Sequence, residues 1–166
     1  MRTSIDALPQ FQTPEAKTLF ATYGVLSDRE LASRHDVAIE QYSKSVIVEA
    51  LTTVEMATTL VLPAAIRYQT ELASNAAALK SIGYEFDAST LDEVCNGINA
   101  MQASLKVLRE CLAHDGGHSE FDEAVHCCKA VVPATLAVRK AADVLEAVVA
   151  DNLWPLPTYQ EMLFIL

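Results

Sequence analysis

Residues 27–83 read SDRELASRHDVAIEQYSKSVIVEALTTVEMATTLVLPAAIRYQTELASNAAALKSIG, and this stretch decides the fold. Apolar or aromatic side chains recur at Ile39, Tyr42, Val46, Ala50, Val54, Ala57, Val61, Ala65, Tyr68, Leu72, Ala76 and Leu79. Every step is three or four residues, close to the helical turn of about 3.6. Ser27-Asp28-Arg29-Glu30 opens the stretch as a capping box, in which the Ser hydroxyl and the Glu carboxylate satisfy two orphan N–H donors. Gly83 ends it. At about 1.5 Å per residue the rod would run roughly 80 Å, a length suited to packing and assembly. Pro63 lies inside it, removes one hydrogen bond and predicts a kink near residues 59 to 63.

On the N-terminal side, the first twelve residues read as an irregular lead-in. Thr13 then caps a short helix with Pro14 at its first position, and Gly24 closes that helix after Tyr23. On the C-terminal side, Thr90-Leu91-Asp92-Glu93 is a second capping box. Its helix carries Leu91, Val94, Ile98, Met101, Leu105, Leu108 and Leu112 in steps alternating three and four, weakened slightly by Gly97. Asp115-Gly116-Gly117-His118 is a tight reversal. Ser119 caps a fourth helix with Phe121, Val125, Cys128 and Val132 on one face. Pro133 interrupts it, and Val138, Ala142, Leu145 and Val149 continue the stripe to about Asp151. Trp154-Pro155-Leu156-Pro157 cannot be helical, and 160–166 reads as a last apolar turn.

The expected fold class is therefore all-α: a long kinked helix plus two further helices in an antiparallel up-down-up bundle, with a short N-terminal helix and an extended Trp/Pro tail. One domain is expected in total, with 1–26 a lead-in, 27–151 the bundle and 152–166 the tail. Residues 28 to 58 have no sequential partner of comparable length, which predicts self-association or a partner over that apolar stripe.

Composition narrows the function classes. The chain has 166 residues, 51% hydrophobic, with 5 Gly, 6 Pro and a net charge of −10. Such a surface repels a nucleic-acid backbone, and no Lys/Arg stripe offsets it, so no nucleic-acid partner is expected. The N-terminal ten residues lack the apolar core of a signal peptide. Glu49, Glu55 and Pro63 interrupt the most apolar run, 46–66, which favours a buried core segment over a membrane span. Four cysteines, two of them adjacent, show no secreted-type framework, so reduced thiols in the cytoplasm are expected.

Residues that could carry chemistry form no self-contained active site. His114, His118, His126, Cys127 and Cys128 cluster in sequence and are zinc-ligand types, but their spacing matches no closed site and the two thiols point to different faces. Surface histidines and small buried thiols are the plainer reading, and no metal ligand is assigned. A thiol on an apolar stripe, such as Cys128, is inert as a nucleophile. Glu49 and Glu55 lack the Glu-x-x-His partners of bundle di-iron sites and read as polar edge positions. Arg67, Tyr68 and Gln69 follow the proline and read as helix surface with contact potential. Gly116-Gly117 is followed by no Lys-Ser or Lys-Thr, so no phosphate loop is present.

Three motifs resemble type III glutamine synthetases. They are Tyr23-Gly24-Val25-Leu26-Ser27-x-Arg29-Glu30-Leu31 with Arg34 after it; Leu62-Pro63-Ala64 leading into Tyr68-Gln69-x-Glu71-Leu72; and Trp154-Pro155-x-Pro157-Thr158-Tyr159 followed by Leu163-Phe164. They lie in family order and span nearly the whole chain. The resemblance implies a C-terminal helical region beyond the catalytic part of a larger, ring-forming enzyme that ligates ammonia to glutamate with ATP and a divalent metal. The family's catalytic carboxylates, arginines and metal ligands have no counterpart here. This chain is expected to have no activity, cofactor or metal of its own. Its expected partners are the glutamine synthetase catalytic domain, other subunits or further copies of itself. A free-standing helical adaptor or regulator that binds a partner protein is the alternative.

Overall fold

The computed structural model describes residues 3–113, 119–157 and 159–163, with Tyr159 and Gln160 described as backbone. All regular elements among them are helical. In chain order these are α1 (Ser4–Ala7), α2 (Pro14–Thr22), α3 (Asp28–Met56), α4 (Leu62–Ser81), α5 (Ser89–Leu112), α6 (Glu120–His126), α7 (Val132–Glu146) and α8 (Tyr159–Leu163). The all-α class holds. Two five-residue π turns, Ala57–Val61 and Cys127–Val131, link α3 to α4 and α6 to α7, so the chain is helical without a break from Asp28 to Ser81.

Each π turn answers a proline. Pro63 and Pro133 have no N–H, and in an α-helix each ring would press on the carbonyl four residues back. Just before each proline the backbone widens instead: Leu62 N–H donates to Ala57 O, and Val132 N–H to Cys127 O, both five residues back. The kink expected near residues 59 to 63 is thus a π turn, and its twin at 127–131 was not foreseen. Helix ends follow sequence chemistry closely. Ser27 N–H donates to Glu30 Oε2 at 2.8 Å, and Glu30 N–H returns to Ser27 Oγ at 3.4 Å. Gly24 and Gly83 take φ of +62° and +77°. The next N–H then reaches back five residues, Val25 to Phe20 O and Tyr84 to Leu79 O, which closes both helices in Schellman fashion.

Two starts differ from expectation. The lead-in is helical from Ser4, because Thr3 and Asp6 form their own capping box and Ile5 is buried. Helix α5 starts at Ser89, where the Asp87 carboxylate accepts from both Ser89 N–H and Ser89 Oγ. An Asp two residues upstream competes for the cap that Thr90 seemed to supply.

The chain divides into two compact units: Met1–Leu51 with Glu110–Pro133, and Thr52–Arg109 with Ala134–Leu166. In the first, Ile5, Ile39 and Ala124 form a buried cluster, flanked by Leu8, Tyr42, Val125 and Cys128. Ile39, Ser43, Val46 and Ala50 of α3 are all buried. The stripe expected to lack a cover within its own chain therefore meets α1 and α6. Short elements do what only a long partner seemed able to do, and the reversal expected at Asp115–His118 lies outside the described residues. The expected face of α6 is also displaced. Ala124, Cys127 and Val131 are buried, while Phe121 is 38% exposed. Periodicity favours the larger side chain, whereas close approach of two helices favours the smaller.

In the second unit, Val94, Ile98, Met101, Leu105 and Leu108 are buried as the α5 seam expected, with Leu91 half-buried. Val138, Leu145 and Val149 are buried as well, and Ala142 is half-buried. Gly97 is a packing site: a Cβ there would lie 2.6 Å from Leu145 Cδ2 and 3.1 Å from Leu145 Cγ. Leu145 is itself 1% exposed and has little room to retreat. Overpacking of this kind costs about 1–3 kcal/mol, against a helix-propensity gain of about 1 kcal/mol for Gly→Ala. Gly97→Ala should therefore lower stability in urea unfolding by about 1 kcal/mol. In a Leu145→Ala background the same change should become stabilising.

Candidate functional site

The densest grouping of reactive side chains lies in the first unit, where α3 meets α6 and the π turn after it. Tyr42 and Ser43 stand on α3, and Cys127 and Cys128 face them. Cys127 is 1% exposed and hydrogen-bonded to Ser43, whose hydroxyl also donates to Ile39 O at 3.3 Å. Cys128 is half-buried and hydrogen-bonded to Tyr42. Both thiols thus reach α3, whereas a regular α-helix would direct consecutive residues to different faces. The two thiols meet adjacent residues of α3, Cys127 at Ser43 and Cys128 at Tyr42.

Burial first, then the bond to Cys128 and the nearby thiols, pushes the Tyr42 phenol from 10.0 up to about 12. Burial, then the charges of Glu123 and Cys128, raises Cys127 as well, with Ser43 pulling weakly the other way. A raised thiol is the opposite of an activated nucleophile. His126 Nε2 lies 2.9 Å from the Cys111 carbonyl oxygen, which can only accept, so Nε2 carries the hydrogen. Cys111, Glu123, His126 and Cys127 share the wall of a cavity of about 50 Å³. That volume suits a water molecule and is far below the hundreds of Å³ that a nucleotide requires.

Among the described residues no group of three or more His, Cys, Asp or Glu side chains is arranged to hold a metal ion. His114 and His118 lie outside the described residues. All four cysteines are free thiols. Glu49 and Glu55 are exposed, as expected of edge positions.

The family-motif residues fall into three places that the structure does not gather into one cleft. Around the first motif, Tyr23 is 75% exposed, Gly24 makes the helix-closing turn, and Glu30 holds the cap of α3 while Arg29 and Arg34 stay in solvent. Hydrogen bonds from Ser27 hold the Glu30 carboxyl below its ordinary range. Around the second, Pro63 is half-buried behind its π turn, and Arg67 Nε donates to the Pro63 carbonyl at 3.3 Å. Gln69 Nε2 reaches Cys95 Sγ at 3.1 Å, Tyr68 is half-buried and Glu71 is exposed. Around the third, residues 151–153 form a short 3-10 turn that packs on α4. Trp154 N–H donates back to Ala150 and Asp151, and its half-buried indole places Nε1 away from any acceptor among the described residues. Pro155 and Pro157 are exposed, Thr158 lies outside the described residues, and Tyr159 opens α8.

Comparison with known proteins shows what this chain is similar to. Residues 1–80 match the glutamine synthetase C-terminal domain. The chain is 33% identical to the type-3 glutamine synthetase of Dictyostelium discoideum over 92% of its own length and 23% of that relative. It is 27% identical to a glutamine synthetase of Bacteroides fragilis, covering 96% of this chain and 23% of the relative. For one from Butyrivibrio fibrisolvens the figures are 28%, 97% and 24%. The chain resembles the C-terminal region of type III glutamine synthetase. It spans about a quarter of the length of these curated relatives.

Two outcomes follow from the buried phenol and thiol. A pKa raised by folding stabilises fully below the unfolded value and is lost as pH rises through the folded one. Melting temperature should therefore drop more steeply between pH 10 and 12 for the unsubstituted chain than for Tyr42→Phe. In a timed alkylation read by mass spectrometry, Cys127 should be the slowest of the four thiols and should react promptly in urea.

Proposed function

We propose that this chain is the C-terminal helical segment of a type III glutamine synthetase, with a structural, assembly role and no catalysis of its own. The observation that carries the reading is the pairing of coverages: the alignment takes in 92% of this chain but 23% of the type-3 relative. The family model matched is that of a C-terminal domain. The helical fold supports a packing role, since its motif residues Gly24, Glu30 and Pro63 serve a helix-closing turn, a cap and a π turn. We place its partners in the catalytic part of such an enzyme and in other subunits, including further copies of the chain. Val37 and Leu51 on α3 remain more than half exposed and are available to such contacts.

We also place the chain in the cytoplasm, with neither membrane nor nucleic acid as partner. Free thiols agree with a reducing compartment. The helix Asp28–Ser81 is long and apolar enough to cross a membrane by length and composition. Glu49 and Glu55 would then meet hydrocarbon, at a cost of a few kcal/mol each.

A calorimetric titration of the isolated chain with ATP and magnesium should give no saturable heat. Binding at micromolar affinity would overturn the non-catalytic reading. Trp154→Ala tests whether the tail is an anchor. A fully buried Trp costs about 3–5 kcal/mol on truncation, and the half-buried ring here should cost about 2 kcal/mol in urea unfolding.

A further inference from the structure

Helix α3 carries a second line of side chains besides its buried stripe. Val37, Gln41, Lys44, Val48, Leu51 and Glu55 follow one another in steps alternating four and three, and every one of them is exposed. That is the 3.5-residue spacing of a seam along which two helices pair. The buried side chains Ile39, Ser43, Val46 and Ala50 lie on the other side of the same helix. Val37 is 56% exposed, Val48 62% and Leu51 54%. Single apolar residues scattered over a surface need no explanation, but these three share one line.

The seam is self-complementary when read backwards. About a point midway between residues 49 and 50, Val48 mirrors Leu51 and Lys44 mirrors Glu55. Two copies laid antiparallel on a two-fold axis through that point set Val48 against Leu51 of the partner and Lys44 against Glu55 of the partner, each contact made twice. Other arrangements lose this match. Parallel pairing in register opposes Lys44 to Lys44 and Glu55 to Glu55, and an antiparallel pair centred on residue 44 again sets that lysine against its own copy.

Lys44 is also able to change partners. Its bond to Glu40 joins two exposed groups one turn apart, a pairing worth little, so the ammonium can turn to a carboxylate on a neighbouring helix. That bond first, with the charges of Glu40, Glu120 and Glu123, raises the Lys44 pKa and keeps the group charged.

We propose that a second copy of this chain pairs with it antiparallel along α3, through Val48 and Leu51 with a Lys44–Glu55 ion pair on either side. The inference rests on the assembly role given under Proposed function and adds to it one surface and one occupant. The apolar residues supply the contact, and the charges set its direction and register, since exposed ion pairs give specificity more than affinity.

Sedimentation of the full chain across micromolar concentrations should show a reversible dimer. Val48→Glu and Leu51→Glu should weaken it at least tenfold and Lys44→Glu about threefold, while Leu19→Glu on another exposed surface leaves it unchanged. Lys44→Glu combined with Glu55→Lys should restore the dimer. Only an antiparallel pair is rescued in this way, because a parallel one keeps like charges opposed. Circular dichroism should show all the variants equally helical. A monomer at every concentration overturns the pairing, as does a dimer that ignores Val48→Glu and Leu51→Glu or one that the double reversal does not restore. A parallel sample mixes the chain with the Dictyostelium discoideum type-3 subunit lacking its matching C-terminal stretch. If the two sediment together, the assembly role stands without the pairing; if neither association occurs, the proposed function fails with it.

Discussion

A proline inside a helix removes one donor and crowds the turn before it, and this chain meets that constraint twice in the same way. At Pro63 and at Pro133 the residue just before the ring donates five residues back, and a π turn of five residues absorbs the strain. Breaking the helix at either point would have cost the continuous apolar face on which packing depends. Around the first turn the helix instead carries Ala57, Val61, Leu62, Ala64 and Ala65 buried in sequence. Around the second, Cys127 and Val131 are buried in the same way.

Small residues then set how close the helices come. Ala124 is fully buried beside Ile39 and Ile5, and Gly97 takes the side chain of Leu145 where any Cβ would collide. The larger Phe121, three residues before Ala124, is left partly in solvent. This choice governs the chemistry too. Cys127 sits deep because the helices approach closely there, and depth together with the Glu123 charge keeps it a neutral thiol. A cavity of about 50 Å³ beside it is what remains once these contacts are made. The grouping of His, Cys and Tyr is a packed junction, and its titration properties are consequences of burial.

The motif residues obey a related division. Glu30, Gly24 and Pro63 have local backbone duties: a cap, a left-handed turn and a π turn. Tyr23 is the C-cap residue of α2 with its ring exposed, and Arg29, Arg34 and Glu71 are exposed. The motif residues thus divide between ones that shape the helices and ones on the surface.

Local chemistry by itself determined most of the helical framework. The Ser27–Glu30 box, the Thr13-Pro14 start, the glycine closures at Gly24 and Gly83 and the long periodic stripe are short-range effects, and each is legible because its partners lie within five residues. The stripe from Ile39 to Leu79 is buried or half-buried at every expected member for the same reason. Tertiary structure alone decided which face of α6 turned inward, that Asp87 took the α5 cap, and that α1 and α6 cover the early part of α3. It also decided that Gly97 is a contact point rather than a weak spot. Each of these depends on the distance between elements remote in sequence, and hydrophobic periodicity contains no measure of that distance.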